Sequence, residues 1–182
     1  MALLTLDEAK AQLDIETGGD DLELEAYIEG LTAPIENLVG VVEERTITET
    51  IHGTGTTLVL LKTPAVALVS VAPQLTGGTV LDIALLHLDG TTGVVRHLTG
   101  GSFHGGPWTV TYTAGRAETP ATIKLAARML LQHLWRTRYG SARGQSGADD
   151  YSVSEPIPGF GYAIPNRVLQ LLEPFRLPPG VA

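Results

Sequence analysis

Trp108-Thr109-Val110-Thr111-Tyr112-Thr113, then Gly115, Pro120 and Ile123-Lys124-Leu125-Ala126-Ala127-Arg128-Met129-Leu130-Leu131-Gln132-His133-Leu134-Trp135-Arg136, set a strand and a helix one after the other. The first six residues are β-branched or aromatic, the composition of a pleated, half-buried strand. Past Pro120, which suits a helix's first turn because its missing N–H has no partner to lose there, the period changes. Ile123, Ala126, Ala127, Leu130, Leu131 and Leu134 recur at spacings of three and four and make one apolar stripe, while Lys124, Arg128, Gln132 and Arg136 follow one another at i+4 on another face. A basic ridge therefore rides on an apolar helix near residues 120–139.

Upstream, strand signals fill residues 44 to 113. Arg45 to Ile51 alternates at period two, and Thr57 to Leu61, Ala65 to Val71, Leu85 to Leu88 and Val94 to Leu98 are further candidates, with Gly or Pro in every gap. Asp89-Gly90 marks a tight turn, and the glycine-rich run Gly100 to Gly106 reads as a hairpin loop. Half a dozen short strands predict one small, mostly antiparallel sheet. Before it, Thr5-Leu6-Asp7-Glu8 matches a capping box that starts a helix to about Leu13, and Gly18-Gly19 interrupts. A second helix opens at Asp20 or Asp21 with Leu24, Ile28, Leu31, Ile35 and Leu38 on one stripe, and Gly40 stops it. Pro34 costs about 3 kcal/mol in a helix interior, so a kink or division near Ala33 is expected.

Beyond Tyr139 the composition shifts. Gly140 to Gly147 is Gly/Ser-rich, Pro156, Pro158, Gly159 and Gly161 follow, and a short apolar helix from Pro165 to about Phe175 precedes Pro178-Pro179. The fold class is thus α+β: N-terminal helices, a small sheet, a long helix and an extended C-terminal arm. The domain reading is a core over 1–139 and a linker with a docking arm over 140–182. Val168, Leu169, Leu172 and Phe175 are the anchors such an arm would lay into a groove.

The 182 residues are 43% hydrophobic, enough for one ordinary core. No cysteine is present, so disulfides and thiolate zinc sites are excluded. No apolar run approaches the roughly 20 residues of a spanning helix, and no membrane partner is expected. The opening lacks the basic segment of a secretory signal, so synthesis in the cytoplasm is expected. The net charge of −8 is unevenly spread: thirteen acids face only Lys10 and Arg45 before residue 50, whereas Arg116, Lys124, Arg128, Arg136, Arg138 and Arg143 face only Glu118 between 116 and 143. A chain polarised in this way can attract its own copies, through Glu25 and Glu29 on one side and Lys124, Arg128 and Arg136 on the other. Solvated helix faces would look the same.

Catalytic, cofactor and metal signatures are missing. The histidines, His52, His87, His97, His104 and His133, include no i,i+4 pair for a metal. The loop around Ser102 and His104 has neither the Gly-Lys-Ser/Thr of a phosphate loop nor the Gly-x-Ser-x-Gly of a hydrolase elbow. Asp149-Asp150 reads as a solvated pair. The expectation is no enzyme, no cofactor and no metal. The alternative is a DNA-binding module that presents the basic residues from Lys124 to Arg143 to phosphates, against which the net acidity counts.

Three stretches, taken in order, resemble the adaptor, or head-to-tail connector, family of long-tailed bacteriophages. They are Leu4 to Leu13 with its Asp-led following helix, Val110-Thr111-Tyr112-Thr113-Ala114-Gly115, and Pro120 leading Ile123-Lys124-Leu125-Ala126. The resemblance spans most of residues 1 to 139. It implies a structural virion protein at the head-to-tail junction, a ring usually of twelve copies beneath the portal protein, with tail-side connector or tail terminator proteins below. Genomic DNA would pass through the bore without specific binding. Some relatives are almost wholly helical, so the strand-rich middle departs from them.

Overall fold

The computed structural model describes residues 3–53, 55–104, 106–137 and 164–177. In chain order the elements are α1 (Leu6–Leu13), α2 (Asp21–Val39), β1 (Arg45–His52), β2 (Thr57–Val59), β3 (Ala65–Pro73), β4 (Leu86–Asp89), β5 (Val94–His97), β6 (Pro107–Ala114), α3 (Ala121–Thr137) and α4 (Asn166–Leu172). The mixed helical and antiparallel architecture is the one expected. Its contacts divide into two units: a helical one, up to Val39 together with Thr119–Arg176, and a sheet unit over Gly40–Glu118 that also takes in Leu177.

In the helical unit, both ends of the chain meet. Thr5 caps α1 as read from the sequence: its hydroxyl accepts from Glu8 N at 3.2 Å, and its own N–H donates to Glu8 Oε2 at 3.0 Å. α1 ends at Asp14, whose φ of 55° places it in the left-handed region, four residues before the glycine pair expected to break it. α2 is continuous through Pro34, which corrects the expected division. Proline's cost of about 3 kcal/mol is outweighed because Leu24, Ile28, Leu31, Ile35 and Val39 are all buried, each worth about 1.5–3 kcal/mol. The stripe thus finishes on Val39 rather than Leu38. Pro120 stands just outside α3, where its carbonyl accepts from the N–H groups of Ile123 and Lys124. Ile123, Ala126, Ala127, Leu130 and Leu131 are fully buried and Leu134 half-buried, as α3 packs on α1, α2 and α4.

The sheet unit holds two three-stranded antiparallel sheets where one was expected. Their orders are β1-β6-β3 and β2-β5-β4. β6 is central, and its period-two burial puts Trp108, Val110, Tyr112 and Ala114 inward and Thr109, Thr111 and Thr113 outward. Both sheets contribute to a single core that joins Ile51, Val71, Val110 and Tyr112 with Leu58, Leu86 and Val95. The Gly100–Gly106 segment is therefore not a hairpin loop: it carries the chain from β5 in one sheet to β6 in the other. Phe103 plugs the core there. Its ring stacks on His97 at 4.5 Å between centroids and meets Trp108 edge-on at 6.0 Å, and its carbonyl accepts from Trp108 Nε1 at 3.0 Å. The Asp89-Gly90 turn forms between β4 and β5, with Asp89 accepting from Thr91 and Thr92, but the positive φ falls on Gly93.

Candidate assembly surfaces

The basic ridge of α3 meets the chain's own first helix. Arg128 Nη2 lies 2.8 Å from Glu8 Oε1, and Gln132 pairs with Gln12 at 3.3 Å, so the i+4 rows of α1 and α3 interlock. Lys10 bonds Asp21 at 2.7 Å and ties α1 to the start of α2. Arg128 thus serves within its own subunit. Lys124 is half-buried in the same seam, and Arg136 is exposed at the end of α3. Glu25 and Glu29 are exposed on α2. Arg138 and Arg143 lie outside the described residues, as does the Gly140–Gly147 run.

Glu8 is the most strongly engaged carboxylate of this seam. The Thr5 backbone bond, the Arg128 bond and the nearby charge of Lys124 hold its pKa below the ordinary value of 4.5, against some desolvation. A depressed folded-state pKa adds stability that is present at neutral pH and is lost as pH falls below 4.5 and through the folded value. Glu8→Gln should therefore unfold at a lower temperature than the parent at pH 7 and at nearly the same temperature at pH 3. An equal deficit at both pH values would show that the carboxylate charge is not what matters.

In α4, Val168 and Leu172 are buried and Leu169 is half-buried, with Phe175 half-buried in the following turn. Val168 and Leu172 lie inside the helical unit, and α4 packs on α3. Of the four anchors proposed for the arm, Leu169 and Phe175 keep part of their surface open.

Elsewhere the polar chemistry is structural. Tyr112 donates its hydroxyl proton to Glu49 Oε1 at 3.0 Å and accepts from Lys62 N at 3.1 Å, while Leu61 N donates to the same Glu49 oxygen at 2.9 Å. Burial and the Glu49 charge push the Tyr112 pKa up, so it stays a donor. Arg116 donates to Val41 O at 2.9 Å, its pKa lowered by burial, and burial likewise lowers that of His133. Among the described residues, no three metal-ligating side chains gather, and no helix is long and apolar enough to cross a membrane. Ser102 and His104 are exposed beside the Phe103 plug.

The sequence reading missed an apolar surface on the sheet unit. Val66, Ala67, Leu68, Ile83, Ala84, Leu86 and Leu88 line an open groove of about 380 Å³ at the β3–β4 edge. Val59 and Leu61, at the opposite side of the β2-β5-β4 sheet, are exposed as well. The signal was the nearly unbroken apolar run Ala65 to Val71: a strand with only one buried face should alternate more cleanly.

Comparison with solved structures finds the same fold in chains of gene transfer agent particles. The neck of a native gene transfer agent particle, computed with C12 symmetry, contains a chain with TM-score 0.66 at 18% identity, covering 96% of this chain and 88% of that one. A chain in the neck of the empty particle, computed with C6 symmetry, gives 0.65 at 18%, covering 97% and 91%. The native virion gives 0.62 at 19%, with the same coverage of 97% and 91%. At these identities the likeness establishes a shared fold. No curated protein is similar enough in sequence to count as a match. A family model described as head completion protein matches residues 2–177, which bears out the connector resemblance read from the sequence. The chain belongs to the head completion protein family.

Proposed function

We propose that this chain is a structural, non-enzymatic head-to-tail adaptor of the virion neck, and that twelve copies form a ring between the portal protein and the tail. The observation that carries the reading is the match to head completion proteins over residues 2–177. The shared fold with chains from C12- and C6-symmetric necks supports the ring. In such a ring the portal would bind on one side, tail-side connector or tail terminator proteins on the other, and genomic DNA would pass through the bore. An acidic chain suits that passage, because a wall that repels phosphate does not hold it.

A closed ring needs two different patches that meet between neighbours. The exposed Glu25 and Glu29 on one side, and on the other the exposed Arg136 at the end of α3 with the half-buried Lys124 near its start, supply opposite charges for one contact. Arg128 would contribute through the Glu8 pair that fixes α3. The segment 140–182 would form the portal-docking arm, with Leu169 and Phe175 offering apolar surface while Val168 and Leu172 hold α4 in place.

Electron microscopy of the purified protein, alone and with portal rings, tests the reading. Rings coaxial with the portal are expected. A protein that stays monomeric beside its portal, or that binds duplex DNA at nanomolar affinity with the steep salt dependence of counterion release, would overturn it in favour of a DNA-binding module. Arg136→Glu combined with Lys124→Glu should weaken assembly most at low salt, since exposed ion pairs are worth only about 0–1 kcal/mol each. Sedimentation at two salt concentrations reads this, and salt-independent assembly of the double variant would remove charge from the ring contact.

A further inference from the structure

The sheet unit carries two open apolar surfaces that differ in shape and in the sign of their flanking charge. One is the β3–β4 groove, lined only by apolar side chains, with Val66 53% and Ile83 41% exposed at its rim. Its rim is acidic. Asp82 immediately precedes Ile83, is exposed, and uses Oδ1 to accept from Ala84 N at 2.9 Å, so its charge is held beside the groove. The other is a ridge. Val59 closes β2 at 44% exposure, and Leu61 stands 72% exposed two residues later. The ridge is rigid because Leu61 N donates to Glu49 and Lys62 N to Tyr112, which ties this turn to β1 and β6. The exposed Lys62 side chain puts a cation on its outer side, while the half-buried Glu49 carboxylate is turned in to Leu61 N and the Tyr112 hydroxyl.

The strand order sets the two apart. In β2-β5-β4 the ridge follows one edge strand and the groove lies along the other, so a single copy cannot close them on each other through that sheet. An apolar ridge with a cation and an apolar groove with an anion, on opposite edges of one rigid unit, have the geometry of a heterologous contact, which repeats from copy to copy and closes into a ring. Exposed apolar patches flanked by polar groups mark interaction sites more often than they occur by chance.

We propose that the occupant of the β3–β4 groove is a second copy of this chain: Val59 and Leu61 of one subunit seat against Val66, Leu68 and Ile83 of the next, with Lys62 facing Asp82 across the rim. The inference rests on the ring reading and names a contact for it. Both partners are already ordered, so the contact forms without the entropy cost of folding a segment.

The absence of cysteine from the chain makes a clean test possible. Two full-length proteins, Leu61→Cys and Ile83→Cys, are mixed, assembled with or without portal rings, and oxidised. A disulfide-linked dimer in the mixture, in large excess over either protein alone, is the expected result. In parallel, Leu61→Asp should weaken assembly about tenfold or more with an unchanged thermal unfolding midpoint, since a seated leucine would be exchanged for a buried charge. Asp82→Asn, which keeps the acceptor for Ala84, should weaken it less. Rings visible by microscopy without the mixed disulfide, and undisturbed by Leu61→Asp, would overturn this contact and leave the ring standing. If the Ile83→Cys thiol becomes protected from alkylation when portal is added while the mixture yields no Leu61→Cys/Ile83→Cys disulfide, the groove belongs to the portal and the proposal fails. If the parent forms no rings at all, both readings fall.

Discussion

Phe103→Ala is expected to destabilise the sheet unit by about 3–5 kcal/mol, the range for truncating a large buried aromatic. Phe103 is fully buried in the core both sheets share, between the rings of His97 and Trp108. Truncation would leave a cavity that the neighbours cannot fill, because Trp108 is fixed through its Nε1 bond to the Phe103 carbonyl and Gly53 packs directly beneath. The expected reading is a urea midpoint lowered by one molar or more, given slopes of about 1–3 kcal/mol/M. A shift below a quarter of that would mean the connection between the sheets relaxes around the hole, and that Phe103 is not the plug described here.

Gly115→Ala should come second, at about 2–5 kcal/mol, from backbone strain and overpacking together. Gly115 has φ of 122°, where L residues rarely sit, and a Cβ there would lie 2.3 Å from the Glu43 carbonyl oxygen and 2.6 Å from Glu44 Cα. These are backbone atoms, so no side chain can turn aside. The close approach is what lets Gly115 N reach Pro64 O and Arg116 N reach Val42 O, the bonds that close the end of β6. Thermal unfolding with near-ultraviolet circular dichroism on Trp108 would report it. A midpoint within two degrees of the parent would show that the exit from β6 can open freely.

The elements were legible because each rests on local signals. Thr5 and Glu8 wrote the cap of α1, the stripe of α3 follows from its period, and the six strands follow from β-branched and apolar runs with Gly or Pro in the gaps. What local signals cannot carry is partnership. Six strands do not say that β6 pairs with β1 and β3 while β5 pairs with β2 and β4, because pairing depends on residues tens of positions apart. Gly100 to Gly106 had the composition of a hairpin loop, and only the buried side chain of Phe103 makes it a passage between sheets. Pro34 was weighed by its own cost, without the burial on both sides of it that keeps α2 whole. The charge asymmetry was visible, yet it could not say that Arg128 would find Glu8 at home. Likewise, spacing reveals that Val168 and Leu172 seek burial and is silent on the surface that provides it.

The helical unit is assembled from the two ends of the chain, with the sheet unit inserted between Val39 and Thr119. During vectorial synthesis α1 and α2 therefore leave the ribosome well before α3, the helix that covers their apolar stripes. The core of the inserted unit, from Val41 to Ala114, is contiguous and can be completed first, as domains folding in order of emergence do. By doing so it fixes its own ends, and the loop closure needed to bring α3 back to α1 is no longer that of some eighty loose residues but that of a preformed clamp. Until then Leu24, Ile28, Leu31 and Ile35 are uncovered on a nascent helix. That interval is when the chain is most open to aggregation or to capture by a chaperone, and its length is set by the order of the elements rather than by their stability.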